Sequence, residues 1–320
     1  MTRSTAFFVN GGAGRHFCSI PALEKYEKEN PDDDFIIVCE GGMDMYKGHP
    51  SLHRRAFDHW HKGLFKDKIQ DRNCVTTEPY RIWEYYNQKA SLAQAFDIQI
   101  NNKGVRDVAI PALYLSTDET VTGMDIVQEV KEKTGKNKTI VFQPFGRGTQ
   151  PTGPSGKHLI DMGGRSFSQM DTIKIVKKLQ RKYSVIVMAE FPMKWEEAGC
   201  TDKVAQPEGM PIRNWVGVIN AADGFIGCDS VGQHFAYMLK VPSVAVVGST
   251  FPENVSYDDT DHFQVLDVGA GRRRYDPIRL TMEEEIHRSH DGIMTMADKA
   301  IDEIVKELEV VMNKGAKNGK

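Results

Sequence analysis

The sequence has no apolar run approaching the roughly 18 residues that a membrane-spanning helix needs, so no helical membrane span is expected. Cysteine is scarce: five residues, at 18, 39, 74, 200 and 228, an odd number without C-x-x-C spacing. That argues against a disulfide framework and a cysteine-based zinc site; three of the five sit in apolar contexts, where a thiol acts as a small hydrophobe. A surplus of positive charge is missing too. With 41 Lys and Arg against 44 Asp and Glu, the formal net charge of −3 does not suit a chain that wraps nucleic acid as a whole. Familiar nucleotide signatures are incomplete. Gly11-Gly-Ala-Gly14 lacks the spacing of a dinucleotide fingerprint, and Gly156-Lys157 lacks the upstream spacing of a P-loop. Asp32-Asp-Asp34 precedes a strand instead of ending one, which fits a solvated turn better than a metal site. His59 and His61, two apart, fall on different sides of any helix and make a poor metal pair. The strand-like run at 6–10 leaves no room for a signal peptide ahead of it, and the expected location is cytoplasmic.

What is present is an alternation of strand-like and helix-like stretches. At 320 residues, 40% hydrophobic and 27% charged, the chain has globular composition and length for two domains. An apolar strand at 7–10, a helix carrying Ile20, Leu23 and Tyr26 on one face, and a strand at 35–39 open the chain as β–α–β, which predicts a parallel sheet. Aromatic spacing predicts helices over 52–65 and 81–96, and a third helix follows over 125–133. The turn-rich Thr134-Gly-Lys-Asn-Lys138 marks a boundary, after which the pattern restarts. Strands are expected over 139–144, 184–189, 224–227 and 243–248, helices over 168–182, 211–222 and 232–239, and a Gly/Pro loop over 146–164. The expected fold is α/β, with two Rossmann-like domains facing each other across a cleft. They span 1–137 and 138–291, followed by a closing helix at 292–313 that packs back and a disordered tail at 314–320.

The strongest constellation is Gly227-Cys-Asp-Ser-Val-Gly-Gln-His234, where a very short strand runs straight into a helix. Asp229 and Ser230 are good N-cap residues, and the N–H groups of a helix start can hold a diphosphate. The residues alone allow a plain cap equally well, and His234 alone reads as a core histidine. Asp229–Ala236, the following Val241-Pro-Ser-Val-Ala-Val-Val-Gly-Ser-Thr250 and the preceding Asn220–Gly227 together resemble the donor-site signature of the heptosyltransferase family, glycosyltransferase family nine, with the GT-B fold. Gly14-x-x-x-x-x-Ile-Pro-Ala-Leu23 and Pro111–Ser116, followed by Asp118-Glu119, fit the same family, and the resemblance covers most of the chain.

The resemblance implies a metal-independent, inverting glycosyltransferase that moves a sugar from a nucleotide-sugar donor to a lipopolysaccharide-type or other glycan acceptor. Asp229, Ser230, Gly232 and His234 would line the donor pocket, Arg147 and Thr149 would reach the diphosphate, and Arg165 would neutralise the leaving phosphate. The two arginines also read as solvated loop residues. Glu190, just past a strand end, is a candidate for the nucleoside. No cofactor and no metal are expected, since a helix dipole and cations stabilise the departing diphosphate. On the acceptor side, Gly14-Arg15 stands where the family has Gly-Asp, its catalytic base; arginine cannot act as a base at neutral pH. Glu40 and His16 are the nearest replacements. Val231 with Gly232 one place late, and the Gly-rich 146–164, are further departures. Basic clusters at Arg54–Lys62 and at Gly271-Arg-Arg-Arg-Tyr275 read either as solvated surface or as rims for a polyanionic acceptor, a phosphorylated glycolipid or DNA with modified bases. A glycolipid acceptor would place the protein peripherally at the inner membrane surface; a non-catalytic sugar-nucleotide binder is the reading that Arg15 favours.

Overall fold

The strand β1 (Thr5–Asn10) is apolar on both faces, as a parallel strand covered on both sides must be. In the computed structural model it is central to a four-stranded parallel sheet with β2 (Ile36–Glu40), β3 (Ala56–Asp58) and β4 (Asn73–Thr76), in the order β3-β2-β1-β4. The structure describes residues 4–152, 158–161, 164–200, 203–273 and 292–318. Contacts divide the chain into two units at Ser116 and Thr117.

In the first unit α1 (Ala13–Glu29) follows β1, and α3 (Leu92–Asn101), after the one-turn α2 (Trp83–Tyr86), packs on α1. A capping box fixes the start of α3: the Ser91 hydroxyl accepts from Gln94 N–H while the Gln94 side chain accepts from Ser91 N–H. The helix expected over 52–65 is not formed. The segment holds a turn at Leu52–Arg54, then β3, whose Ala56 pairs with Ile37 at the edge of the sheet. The aromatic spacing there came from Trp60 and Phe65 in exposed turns. The helix expected over 81–96 is broken as well, at Gln88 with φ +56°, before the Ser91 cap.

The second unit contains β5 (Thr139–Gln143), β6 (Thr149–Thr152), β7 (His158–Asp161), β8 (Ser184–Val187), β9 (Gly224–Cys228), β10 (Ser243–Val247) and β11 (Phe263–Asp267). Its helices are α4 (Thr117–Thr134), α5 (Gln169–Leu179), α6 (Ile212–Ala221), α7 (Val231–Met238), α8 (Pro252–Val255) and α9 (Asp298–Asn318). Five strands form a parallel sheet in the order β11-β10-β9-β5-β8. β6 and β7 pair as an antiparallel hairpin inside the segment expected to be a plain loop. The chain divides before the expected 137/138 boundary because α4 is locked onto α6. Gly123 and Gly217 bring the two backbones so close that a Cβ on either would strike the other helix. Beside them the buried Arg213 forks onto Glu119, with Nε 2.6 Å from Oε1 and Nη2 2.9 Å from Oε2. The closing helix α9 buries Ile301, Ile304, Leu308 and Val311 in the core of this second unit. It continues through Asn318, where a disordered tail was expected from 314. Lys174, Lys178 and Lys182 reach across to Asp298, Asp302 and Glu309, respectively, at the surface.

Candidate functional site

In open α/β sheets ligands bind beyond the carboxyl ends of the strands, where the strand order reverses. In the second unit that point lies between β5 and β9: the chain proceeds from β5 to β8 on one side, then to β9 on the other. The residues at these two strand ends are Gln143 and Cys228-Asp229-Ser230, so the turn singled out in the sequence lies at the switch point. The Gln143 side chain, buried, closes the gap. Its Oε1 accepts from the Gly232 N–H at 2.9 Å, and its Nε2 donates to the Ser230 hydroxyl at 3.1 Å. Because a backbone N–H can only donate, this pairing fixes which end of the amide is which. Ser230 is the extended N-cap residue (φ −153°, ψ 177°) but its hydroxyl makes no cap hydrogen bond, so it faces Gln143 instead. A Cβ at Gly232 would collide with Gln143 and with the Phe225 ring, so only glycine fits at this position.

Asp229 is an anchor. Thr250 Oγ1 donates to its Oδ2 at 2.8 Å and Gln233 Nε2 to its Oδ1 at 3.3 Å, with Arg165 Nη1 3.8 Å from Oδ2. The Asp229 side chain is 7% exposed and that of Arg165 30%, so the ion pair is buried on the carboxylate side and partly exposed on the guanidinium side. Asp161 supports the same arginine from behind, its Oδ2 accepting from the N–H groups of Arg165 and Ser166 at 2.7 Å each. The Thr149 hydroxyl is buried against Ser166 Oγ at 2.6 Å and braces this loop. Arg147 and Glu190 are exposed. Cys228, fully buried beneath the turn, has its thiol pushed far up by burial and offers no thiolate.

His234 lies one turn into α7, with Nδ1 2.9 Å from the Tyr257 hydroxyl. Burial lowers its pKa from 6.5 to about 4, against an upward pull from Asp229, so the ring is neutral at neutral pH and adds no cation to the site. Tyr257 in turn stacks on Tyr237, ring centroids 3.8 Å apart. Gln143, Thr250 and Tyr257 complete the site beyond the residues the sequence nominated. A polar residue ending an otherwise apolar strand was the available signal for Gln143, whereas nothing in the local sequence marks Tyr257.

The first unit has its own switch point, between β1 and β4. Gly11 (φ +92°) turns the chain from β1 into α1, and Gly14 lies in the first turn. Arg15 spans the switch point: Nη2 donates to Thr77 O at 3.2 Å, Nη1 lies 3.6 Å from Glu78 Oε1, and the guanidinium stands 5.0 Å from the Tyr80 ring. The position thus carries a braced cation. His16 is fully buried, Nδ1 3.2 Å from Gly12 O, away from solvent. Glu40 is exposed at the end of β2, paired in register with Asn10, ahead of two left-handed glycines. Among the described residues no cluster of three or more His, Cys, Asp or Glu is arranged to hold a metal. In the basic cluster at 271–275, Arg272 is exposed and Arg273 turns inward. Arg273 Nε donates to Gly248 O at 2.9 Å and its guanidinium pairs with Asp267 and lies over Phe251; Arg274 and Tyr275 lie outside the described residues.

No family model and no curated protein matches the sequence. Solved structures do match over nearly the whole chain. A glycosyl transferase of family 9 from Veillonella parvula superposes with a TM-score of 0.59 at 12% identity, covering 96% of this chain and 97% of that one. The E. coli ADP-heptose lps heptosyltransferase II gives 0.58 at 14% identity, covering 98% and 99%. E. coli heptosyltransferase WaaC with ADP gives 0.54 at 12%, covering 95% and 99%. The fold class is therefore that of the GT-B glycosyltransferases. Within it, the heptosyltransferase resemblance seen in the motifs is matched by the structural neighbours, as a likeness of fold. No helix among the described residues is long and apolar enough to cross a membrane.

Proposed function

We propose that the protein is a glycosyltransferase whose second unit binds a nucleotide sugar through its diphosphate at the start of α7. The observation that carries this reading is the partly open Arg165 guanidinium held by Asp229 beside a helix N-terminus at the switch point. In an inverting transfer the acceptor hydroxyl attacks the anomeric carbon as the bond to the diphosphate breaks, and negative charge gathers on the departing nucleoside diphosphate. Arg165 and the α7 dipole are placed to offset that charge, a role in which fixed donors gain most. Chemistry of this kind needs no metal. An adenosine diphosphate sugar is the first donor to try, since a heptosyltransferase of the same fold was solved with ADP. The acceptor, a glycan or glycolipid, belongs to the first unit. There the exposed Glu40 is the base candidate that the burial of His16 and the bracing of Arg15 leave.

A second reading, a donor-binding protein without transferase activity, is favoured by one observation: Arg15 is pinned to Thr77 and Glu78 where the family's base belongs. A thermal-shift screen of nucleoside diphosphates and nucleotide sugars tests what both readings share. Stabilisation by at least one of them is expected, and none by any would refute the donor site. Binding of a nucleotide sugar with neither release of nucleoside diphosphate nor sugar transfer would select the second reading, whereas release without transfer would leave only the acceptor open.

A further inference from the structure

The crossover from β3 to β4 carries the exposed aromatics Trp60 (83% exposed) and Phe65 (70% exposed). These strands are the two edges of the first sheet, so residues 59–72 run over one of its faces. In a parallel sheet such a crossover is ordinarily a helix that covers the face with its apolar stripe. Here it is a series of tight turns ending in a six-residue π turn, Leu64–Ile69, entered through Gly63 at φ +76°. Leu64 and Ile69 dip inward onto Ala6, Ile36 and Val38 and cover the face. Phe65, next to Leu64, points out to solvent. Trp60 is held in an outward turn by its N–H, which donates to Asp58 Oδ1 at 2.8 Å. The two rings are thus presented by a braced segment.

The charges around them decide what they meet. Between Arg54 and Arg72 there are six Lys and Arg against three Asp. Arg55 and Arg72 are turned back onto Glu27 and Asp34 and Arg54 lies exposed ahead of β3, so the cations within the turn that carries the aromatics are Lys62, Lys66 and Lys68, with Lys68 Nζ 4.8 Å from the Phe57 ring. Lysine is depleted from the cores of protein interfaces, and a nucleic-acid surface would use its arginines on phosphates. Protruding Trp and Phe among lysines with flexible stems suit the headgroup region of a bilayer, where the rings enter the interface and the ammonium groups meet anionic lipid. The geometry points to the turn carrying Trp60, Lys62, Phe65 and Lys66 as a docking surface for an anionic membrane. This inference stands on the first unit alone and is independent of whether the second binds a nucleotide sugar.

Sedimentation of the full-length protein with vesicles tests it, using phosphatidylcholine vesicles and phosphatidylcholine–phosphatidylglycerol vesicles at about 0.1 M salt. Binding to the anionic vesicles is expected, with none to phosphatidylcholine alone and loss at about 1 M salt. The double variant Trp60→Ser, Phe65→Ser, and separately Lys62→Glu, Lys66→Glu, should each weaken binding at least about tenfold. All four side chains project outward, so the thermal unfolding midpoint should not move, which separates lost docking from lost folding. Absence of binding to anionic vesicles, equal binding to neutral ones, or full binding by the aromatic variant would overturn the proposal. So would a single-stranded oligonucleotide that binds the protein in an aromatic-dependent way while vesicles do not.

Discussion

His234 gives the second unit a pH dependence that can be worked out from its surroundings. Its ring is buried beside the Tyr257 hydroxyl, and burial holds its pKa at about 4 against 6.5 for the free side chain. Above pH 6.5 the folded and unfolded chains both carry a neutral ring, and the group favours neither. As the pH falls, the unfolded chain takes up a proton that the folded one refuses, so stability declines from about 6.5 and the loss is complete near 4. At about 1.4 kcal/mol per unit of displacement, the full effect is on the order of 3 kcal/mol. Carboxylates titrate in the same range, so the effect is isolated by His234→Gln, which keeps an acceptor for Tyr257 and removes the titration. Urea unfolding can be followed through Trp195 and Trp215, which are buried in the second unit, whereas Trp60 and Trp83 are already largely exposed. Wild type should be the more stable at neutral pH, and its advantage over the variant should shrink by about 3 kcal/mol as the pH is lowered to about 4. A constant difference between the two across that range would refute the burial argument.

Gln143→Ala leaves the buried Gly232 N–H without its acceptor; a loss of about 1–3 kcal/mol in stability and weaker nucleotide binding are expected from thermal melting and titration. Gln143→Glu, which keeps the acceptor and loses the donor to Ser230, should fall between Ala and wild type. Glu40→Gln should abolish sugar transfer while leaving nucleotide affinity unchanged, and a fully active variant would remove Glu40 as the base.

The central strands were legible because a strand buried on both faces is a short continuous apolar run, as in Thr139–Phe142 and Ser243–Val247. The α7 turn was legible because an N-cap pair follows such a run directly. Edge elements were not. β4 reads Asn-Cys-Val-Thr with exposed residues, and β3 is three residues long with Trp60 close behind, so the helical spacing of aromatics outweighed the strand. The same periodicity could not separate a core-facing aromatic from one that projects into solvent. At the site, residues contributed by the helix start were readable, but those reaching it from other elements were not: Gln143, 87 positions from Ser230, meets it only through the β5–β9 pairing. Arg15 was readable as a departure from the family pattern. That it is braced by Thr77 and Glu78 depends on β4 lying beside β1, which no local pattern encodes.

The most direct test of the donor site is calorimetric titration of the wild-type protein and of Arg165→Ala with ADP and other nucleoside diphosphates. Loss of a charged hydrogen bond to the diphosphate is worth on the order of 1–3 kcal/mol, so the variant should bind several-fold to about a hundredfold more weakly. Equal affinity of the two proteins for the same diphosphate would contradict the placement of the phosphate at Arg165 and the start of α7.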